Sequence, residues 1–134
     1  MRTYERITIE AYGRLREKKD SDPRDAWRVA REDFTPTEKG CPESTFIGLY
    51  NCERLKGVKC KEQCKTRGIR NTAYAVALAD IYVKKEATPE TDDKEVWELM
   101  RKKVRKEHKI KNPAMHDNQQ IVVVKILYKR GFLK

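Results

Sequence analysis

Apolar side chains recur along most of this chain at three- and four-residue intervals, the spacing of helices that bury one face. Tyr4, Ile7, Ala11, Tyr12 and Leu15 share such a face and predict a first helix over Thr3–Lys19, with Arg14, Arg16 and Glu17 turned mostly outward. Asp20-Ser21-Asp22-Pro23 then breaks and restarts the chain. Asp22 is a capping residue, and Pro23 suits a first helical turn, where its missing N–H costs nothing. The second helix runs to about Asp33 and buries Ala26, Trp27, Val29 and Ala30, with Phe34 closing its end. Beyond a linker at Thr35–Gly40, the third helix opens on Gly40-Cys41-Pro42. Cys41 takes the N-cap position, Phe46, Leu49 and Tyr50 form the buried face, and Gly57 ends the helix or lies just beyond it.

Residues 58–70 (VKCKEQCKTRGIR) have no period and read as a basic connection. The stretch Asn71–Lys85 differs in kind, because Tyr74 to Ala79 and Ile81 to Val83 leave almost no polar face. A helix apolar all round is one buried among others, so this is the expected central helix. Asp92, with Glu95 three residues on, opens a fifth helix to about Glu107 that buries Val96, Trp97, Met100 and Val104. Asn112-Pro113 separates it from the last element, where Ile121, Val122, Val123, Val124, Ile126 and Leu127 are β-branched enough for a strand. The chain offers no second strand to pair with it, and a lone strand is not viable. With Asp117 as a cap, the segment reads as a helix to Lys129, followed by Gly131 as C-cap and Phe132-Leu133 folding back. The fold class expected is all-α: a compact single-domain bundle of about six helices around a buried central helix at 71–85. A length of 134 residues suits that one domain. The N-terminus lacks the apolar core of a signal peptide, and no run is long enough to span a bilayer, so the expected location is cytoplasmic.

Charge changes this picture more than composition does. The net charge is +10, and nearly all the excess sits in two blocks. Residues 54–70 carry seven basic side chains and one acidic, and residues 101–134 carry eleven and two. A segregated basic field suits a polyanionic partner. The first block supplies Arg54, Lys56, Lys59, Lys61, Lys65, Arg67 and Arg70 in and beside a glycine-containing loop able to follow a phosphate backbone. The second supplies Arg101, Lys102, Lys103, Arg105, Lys106, Lys109 and Lys111 as a cationic ridge on a helix whose other face is apolar. Cations near a helix C-terminus are favoured by the helix dipole, which accounts for two or three of these residues and not for seven.

The four cysteines carry less. Cys41, Cys52, Cys60 and Cys64 have a spacing unlike the usual zinc patterns. If Cys41 and Cys52 bracket one helix, a rise of about 1.5 Å per residue sets them roughly 16 Å apart, too far to share an ion. A site built from Cys52, Cys60 and Cys64 with His108 or His116 is the weaker alternative; free thiols are the expected state in a reducing compartment. Cys41, at the positive end of a helix dipole, is the candidate reactive thiol, but no base with an orienting carboxylate is evident beside it. Neither a catalytic constellation nor a cofactor motif is present. A helix-turn-helix is also disfavoured, since the connection between the third and fourth helices is too long and the fourth is too apolar to enter a groove.

Gly40-Cys41-Pro42, Phe46 and Gly48-Leu49, then Lys56-Gly57-Val58, then Asn71 with Tyr74-Ala75, form a pattern G-C-P-x3-F-x-G-L … K-G-[IV] … N-x2-Y-A. Together with Asp22-Pro23 and Ala26-Trp27 it resembles an uncharacterised family of small bacterial and phage helical proteins. The resemblance implies an all-helical fold and brings no activity with it; Cys52, Cys60 and Cys64 fall outside its pattern. The functional expectation is a small basic, non-enzymatic binding protein that needs no cofactor. It contacts DNA or RNA phosphates through the loop at 56–70 and the helix end at 101–111. The alternative is a protein-interaction factor, such as a phage or host-defence inhibitor, whose basic field meets an acidic or nucleic-acid-associated partner.

Overall fold

The structure is a computed structural model that describes residues 2–20, 22–34, 40–60 and 69–134. Six helices account for most of them: α1 Thr3–Arg16, α2 Pro23–Glu32, α3 Gly40–Asn51, α4 Arg70–Val83, α5 Asp93–Glu107 and α6 Gln120–Lys129. No β-strand occurs among the described residues; the nearest thing to one is an isolated antiparallel bridge between Leu55 and Leu133. None of the helices is long and apolar enough to cross a membrane.

Side-chain pairings set the directions of the helices. Gly48 in α3 packs on Thr72 near the start of α4, and Arg54, just beyond the end of α3, pairs with Asp80 near the end of α4. Gln120 donates to Asn71 near the start of α4, and Tyr128 stacks on Tyr82 near its end. α3, α4 and α6 therefore run the same way. α1 joins them, since Tyr12 in its second half stacks on Phe132 beyond α6, with ring centroids 4.1 Å apart. Parallel helices require return paths. α2 supplies one, packing along α1 with Trp27 against Tyr4, and α5 supplies another between α4 and α6.

α4 is the centre. Nine of its residues are buried, from Thr72 to Tyr82, and it packs against α3, α5 and α6. This is the buried helix that its all-round apolar sequence predicts. The last element is a helix, as the absence of a partner strand requires. Its cap differs in detail: Gln119, in a left-handed conformation, is the N-cap, while the Asp117 carboxylate reaches past it to accept from the Ile121 N–H at 3.0 Å. Arg130 is the C-cap, and Gly131 follows with a φ of +74°, a value that a residue without Cβ adopts freely. That turn returns Phe132 and Leu133 onto Tyr12 and Leu55. α1 ends at Arg16, short of Lys19, and the linker at 35–39 lies outside the described residues. Asp22 caps α2 by accepting from the Arg24 N–H at 2.7 Å.

The expectation for Cys41 needs correction. It lies inside α3, not at its cap, and its carbonyl accepts from the Thr45 hydroxyl at 2.7 Å. Two of the three glycines of the family-like pattern have packing roles. A Cβ on Gly48 would stand 3.0 Å from both the Thr72 Cα and its hydroxyl, so the glycine is what lets α3 and α4 approach. We expect Gly48→Val to force the helices apart and cost about 1–3 kcal/mol, read as a lower midpoint in urea unfolding. Gly57 has a φ of +74° and lies against the Arg16 guanidinium, which donates to its carbonyl at 3.3 Å.

Tyr82 is fully buried, and its hydroxyl has no hydrogen-bond partner among the described residues. Burial, with the Asp93 and Asp117 carboxylates adding to it, pushes the phenol well above its ordinary pKa of 10.0. The neutral form is thus favoured in the folded state. Its contribution to stability is complete below pH 10 and is lost as the pH rises from there toward the folded pKa. Tyr82→Phe removes both the stranded hydroxyl and this dependence. It is expected to raise the Tm at neutral pH and to widen its margin over the parent at pH 11, measured by thermal unfolding at both pH values.

Candidate nucleic-acid interface

The cations predicted to meet phosphate divide into three groups once their surroundings are considered. Arg54 and Arg101 have internal work. Arg54 pairs with Asp80 at 2.9 Å and also donates to the carbonyl of Lys134 at 2.8 Å and 3.1 Å. It ties the exit of α3 to the middle of the bundle and to the C-terminus. Arg101 is bound to Glu98 at 2.9 Å, and its other Nη lies 3.0 Å from the Met115 sulfur. Its side chain is 11% exposed, so little of the guanidinium is open to a ligand. Lys103 is held in the same manner by Glu86 at 3.0 Å. The second group, Lys61, Lys65 and Arg67, lies outside the described residues.

The third group is exposed: Lys56, Lys59, Arg70, Lys102, Arg105, Lys106 and Lys109, with Lys111 beside them. Lys56 and Lys59 stand where α1 and α6 finish, since the Lys56 N–H donates to the Phe132 carbonyl and its own carbonyl accepts from the Tyr12 hydroxyl at 2.6 Å. Near them a groove of about 940 Å³ opens between the end of α1, the start of α2 and the end of α3. Arg16, Lys18, Arg24 and Lys59 rim it over Leu15, Ile47 and Val58. Its two carboxylates are already engaged, Asp20 by Arg14 and Asp22 by the cap of α2.

α5 presents the most continuous array. Val96, Trp97, Met100 and Val104 turn inward and fix the rotation of the helix. Lys102, Arg105 and Lys106, at three- and four-residue spacing, are thereby left on the solvent face. None of the three makes an ion pair among the described residues. Glu107 is the one carboxylate between positions 101 and 111. The N-terminal half of the same helix is of opposite sign outside, with Glu95 and Glu98 exposed. Asp92 caps α5 by accepting from the Lys94 N–H at 2.8 Å.

The chain beyond α5 is pinned back on the bundle, and here the two basic blocks meet. The Arg70 Nη1 donates to the Asn112 carbonyl at 2.6 Å. Two residues on, the Ala114 N–H donates to the Tyr74 hydroxyl and the Ala114 carbonyl accepts from Trp97 Nε1, both at 2.9 Å. Arg70, Lys109 and Lys111 are thus brought to one place by contacts between α4, α5 and the segment that follows. Asn112-Pro113 reads in sequence only as a separator. Nothing local marks its carbonyl as the acceptor that joins the blocks.

The cysteines form no such array. Among the described residues no three His, Cys, Asp or Glu side chains converge on a point where a metal ion would fit. Cys41 is a free thiol and half-buried, as is the side chain of Cys60, whereas Cys52 is disulfide-bonded. That corrects the expectation of free thiols at Cys52: a sulfur held in a covalent bond offers no thiolate to a metal. Cys64 lies outside the described residues.

No curated protein and no solved structure matches this chain. A family model does match, over residues 1–134, and the chain belongs to that family, a family of unknown function (DUF6979).

Proposed function

We propose that this is a small basic, non-enzymatic protein of the cytoplasm that binds nucleic acid through its phosphates. The contacts are made by Lys102, Arg105, Lys106 and Lys109 on α5 and just beyond it, with Arg70 and Lys111 at their side. The observation that carries this reading is the ridge itself: cations on one exposed helix face, without ion-pair partners among the described residues, over a buried apolar face that holds them in place. Structural arginines such as Arg54 and Arg101 find carboxylates; these residues find none among the described residues. Cations left in water at high local density are attracted to a polyanion and release its counterions on binding. Lys61, Lys65 and Arg67 extend the basic sequence that leads to Arg70.

The test is purification under native conditions at low salt, reading the ratio of absorbance at 260 and 280 nm before and after nuclease. Co-purifying nucleic acid that is removed by nuclease or by raised salt is the expected result. A stoichiometric protein partner that persists through nuclease, with no nucleic acid recovered, overturns the proposal in favour of a protein-interaction factor.

A further inference from the structure

Where a nucleic-acid ligand is single-stranded, proteins combine cations with aromatic rings on which the bases stack, at about 1–3 kcal/mol per base. This chain has two Trp, six Tyr and three Phe, and all of them lie among the described residues, where every one is buried or half-buried. The ring closest to the ridge is Trp97, which is 2% exposed, edge-on to Tyr74 and hydrogen-bonded through its Nε1. The half-buried rings are packed on the core as well: Phe132 lies on Tyr12, and Tyr128 lies on Tyr82 with the Lys85 ammonium over its ring. None of these rings stands open on the α5 ridge to receive a base; Tyr50, half-buried, lines the separate groove beside Lys59.

Charge density points the same way. From Lys102 to Lys106 the helical part of the ridge extends roughly 6 Å at a rise of about 1.5 Å per residue, and Lys109 and Lys111 follow beyond the end of α5. Along that length a duplex presents about three to four phosphates, one per roughly 1.7 Å of axis, and a single strand about two. The cations at 102, 105 and 106 thus match the charge of a duplex and exceed that of a strand. Glu95 and Glu98 on the first half of α5 repel phosphate, so contact is confined to the second half of the helix and the residues after it. The exposed face of that half carries Lys102, Arg105, Lys106 and Glu107, and no asparagine or glutamine to pair with adenine.

Building on the proposed function, we infer that the ligand of the α5 ridge is a double-helical nucleic acid, held by its phosphates without reading of the bases. The full chain is titrated, by fluorescence anisotropy at 50 mM salt, into a labelled 30-base-pair DNA duplex, the RNA duplex of the same sequence, each separate strand, and a second duplex of permuted sequence. The expected result is that a duplex binds at least several-fold more tightly than either of its strands, with the permuted duplex equal to the first. Strands that bind as tightly as duplexes, or a permuted duplex that binds tenfold more weakly, overturn this inference and leave phosphate binding standing. Failure of every probe to bind overturns the proposed function itself.

Discussion

Trp97→Ala is expected to destabilise the protein by about 3–5 kcal/mol. For a chain of this length that is a fall in Tm on the order of 10–20 °C. The cost has two sources. The ring is 2% exposed and packs edge-on against Tyr74 with centroids 5.6 Å apart, so its removal leaves a cavity between α4 and α5. Its Nε1 also donates to the Ala114 carbonyl, whose own N–H is bound by the Tyr74 hydroxyl. The two aromatic side chains therefore hold both backbone groups of one residue and anchor the segment carrying Lys109 and Lys111. Trp97→Phe separates the contributions. It keeps most of the apolar volume, loses the hydrogen bond, and is expected to cost less than half as much as the alanine variant. Thermal unfolding measures the totals, and hydrogen exchange at 109–116 reads the anchoring: faster exchange there in Trp97→Phe, with the amides of α4 unchanged, is the expected pattern. Equal exchange in parent and variant would mean that Trp97 does not anchor the segment.

The parts of this architecture that sequence reveals are those governed by local periodicity. α4 is recognisable because an all-round apolar helix has one place to go, and α6 because a β-branched run without a partner strand must satisfy its backbone within itself. The face of α5 follows from the spacing of Val96, Trp97, Met100 and Val104, and with it the outward position of Lys102, Arg105 and Lys106. The assignments that local pattern does not supply depend on distant contacts. Arg54 and Arg101 look in sequence like their basic neighbours. What removes them from the exposed set is Asp80 on α4 for one, and for the other Glu98 one turn back together with Met115. Charge counting assigns every cation of a block to the surface, whereas a carboxylate across the bundle decides otherwise. The parallel course of α1, α3, α4 and α6 is equally hidden, because it is fixed by pairs such as Gly48 with Thr72 and Tyr12 with Phe132. Cys52 belongs to the same class: composition favours a free thiol, and its bonded state depends on what the fold brings beside it.

Neutralising the ridge with the substitutions Lys102→Gln, Arg105→Gln, Lys106→Gln and Lys109→Gln together is expected to remove most nucleic-acid binding at moderate salt. Each phosphate contact to a duplex contributes about 0.9 to the slope of log affinity against log salt. Losing four contacts should therefore flatten that slope by roughly three to four. Four such contacts correspond to a loss on the order of a hundredfold between 50 and 200 mM salt in the parent, and the variant should show little of it. Stability should change far less. Arg105 and Lys106 lie in the last turn of α5, where an exposed cation is worth about 0.3–1 kcal/mol with the helix dipole, and none of the four makes an ion pair among the described residues. Lys94→Gln is the control. It removes a charge from the same helix, but from its acidic half and about 12 Å from Lys102, beyond a Debye length of about 8 Å at physiological ionic strength. Its salt slope should equal that of the parent. The measurement is a set of anisotropy titrations at four salt concentrations, with circular dichroism to establish that each variant is folded. A folded four-site variant that keeps the parental slope would place the phosphate contacts elsewhere. The groove rimmed by Arg16, Lys18, Arg24 and Lys59 would then be the next surface to neutralise, since its carboxylates are already engaged within the fold.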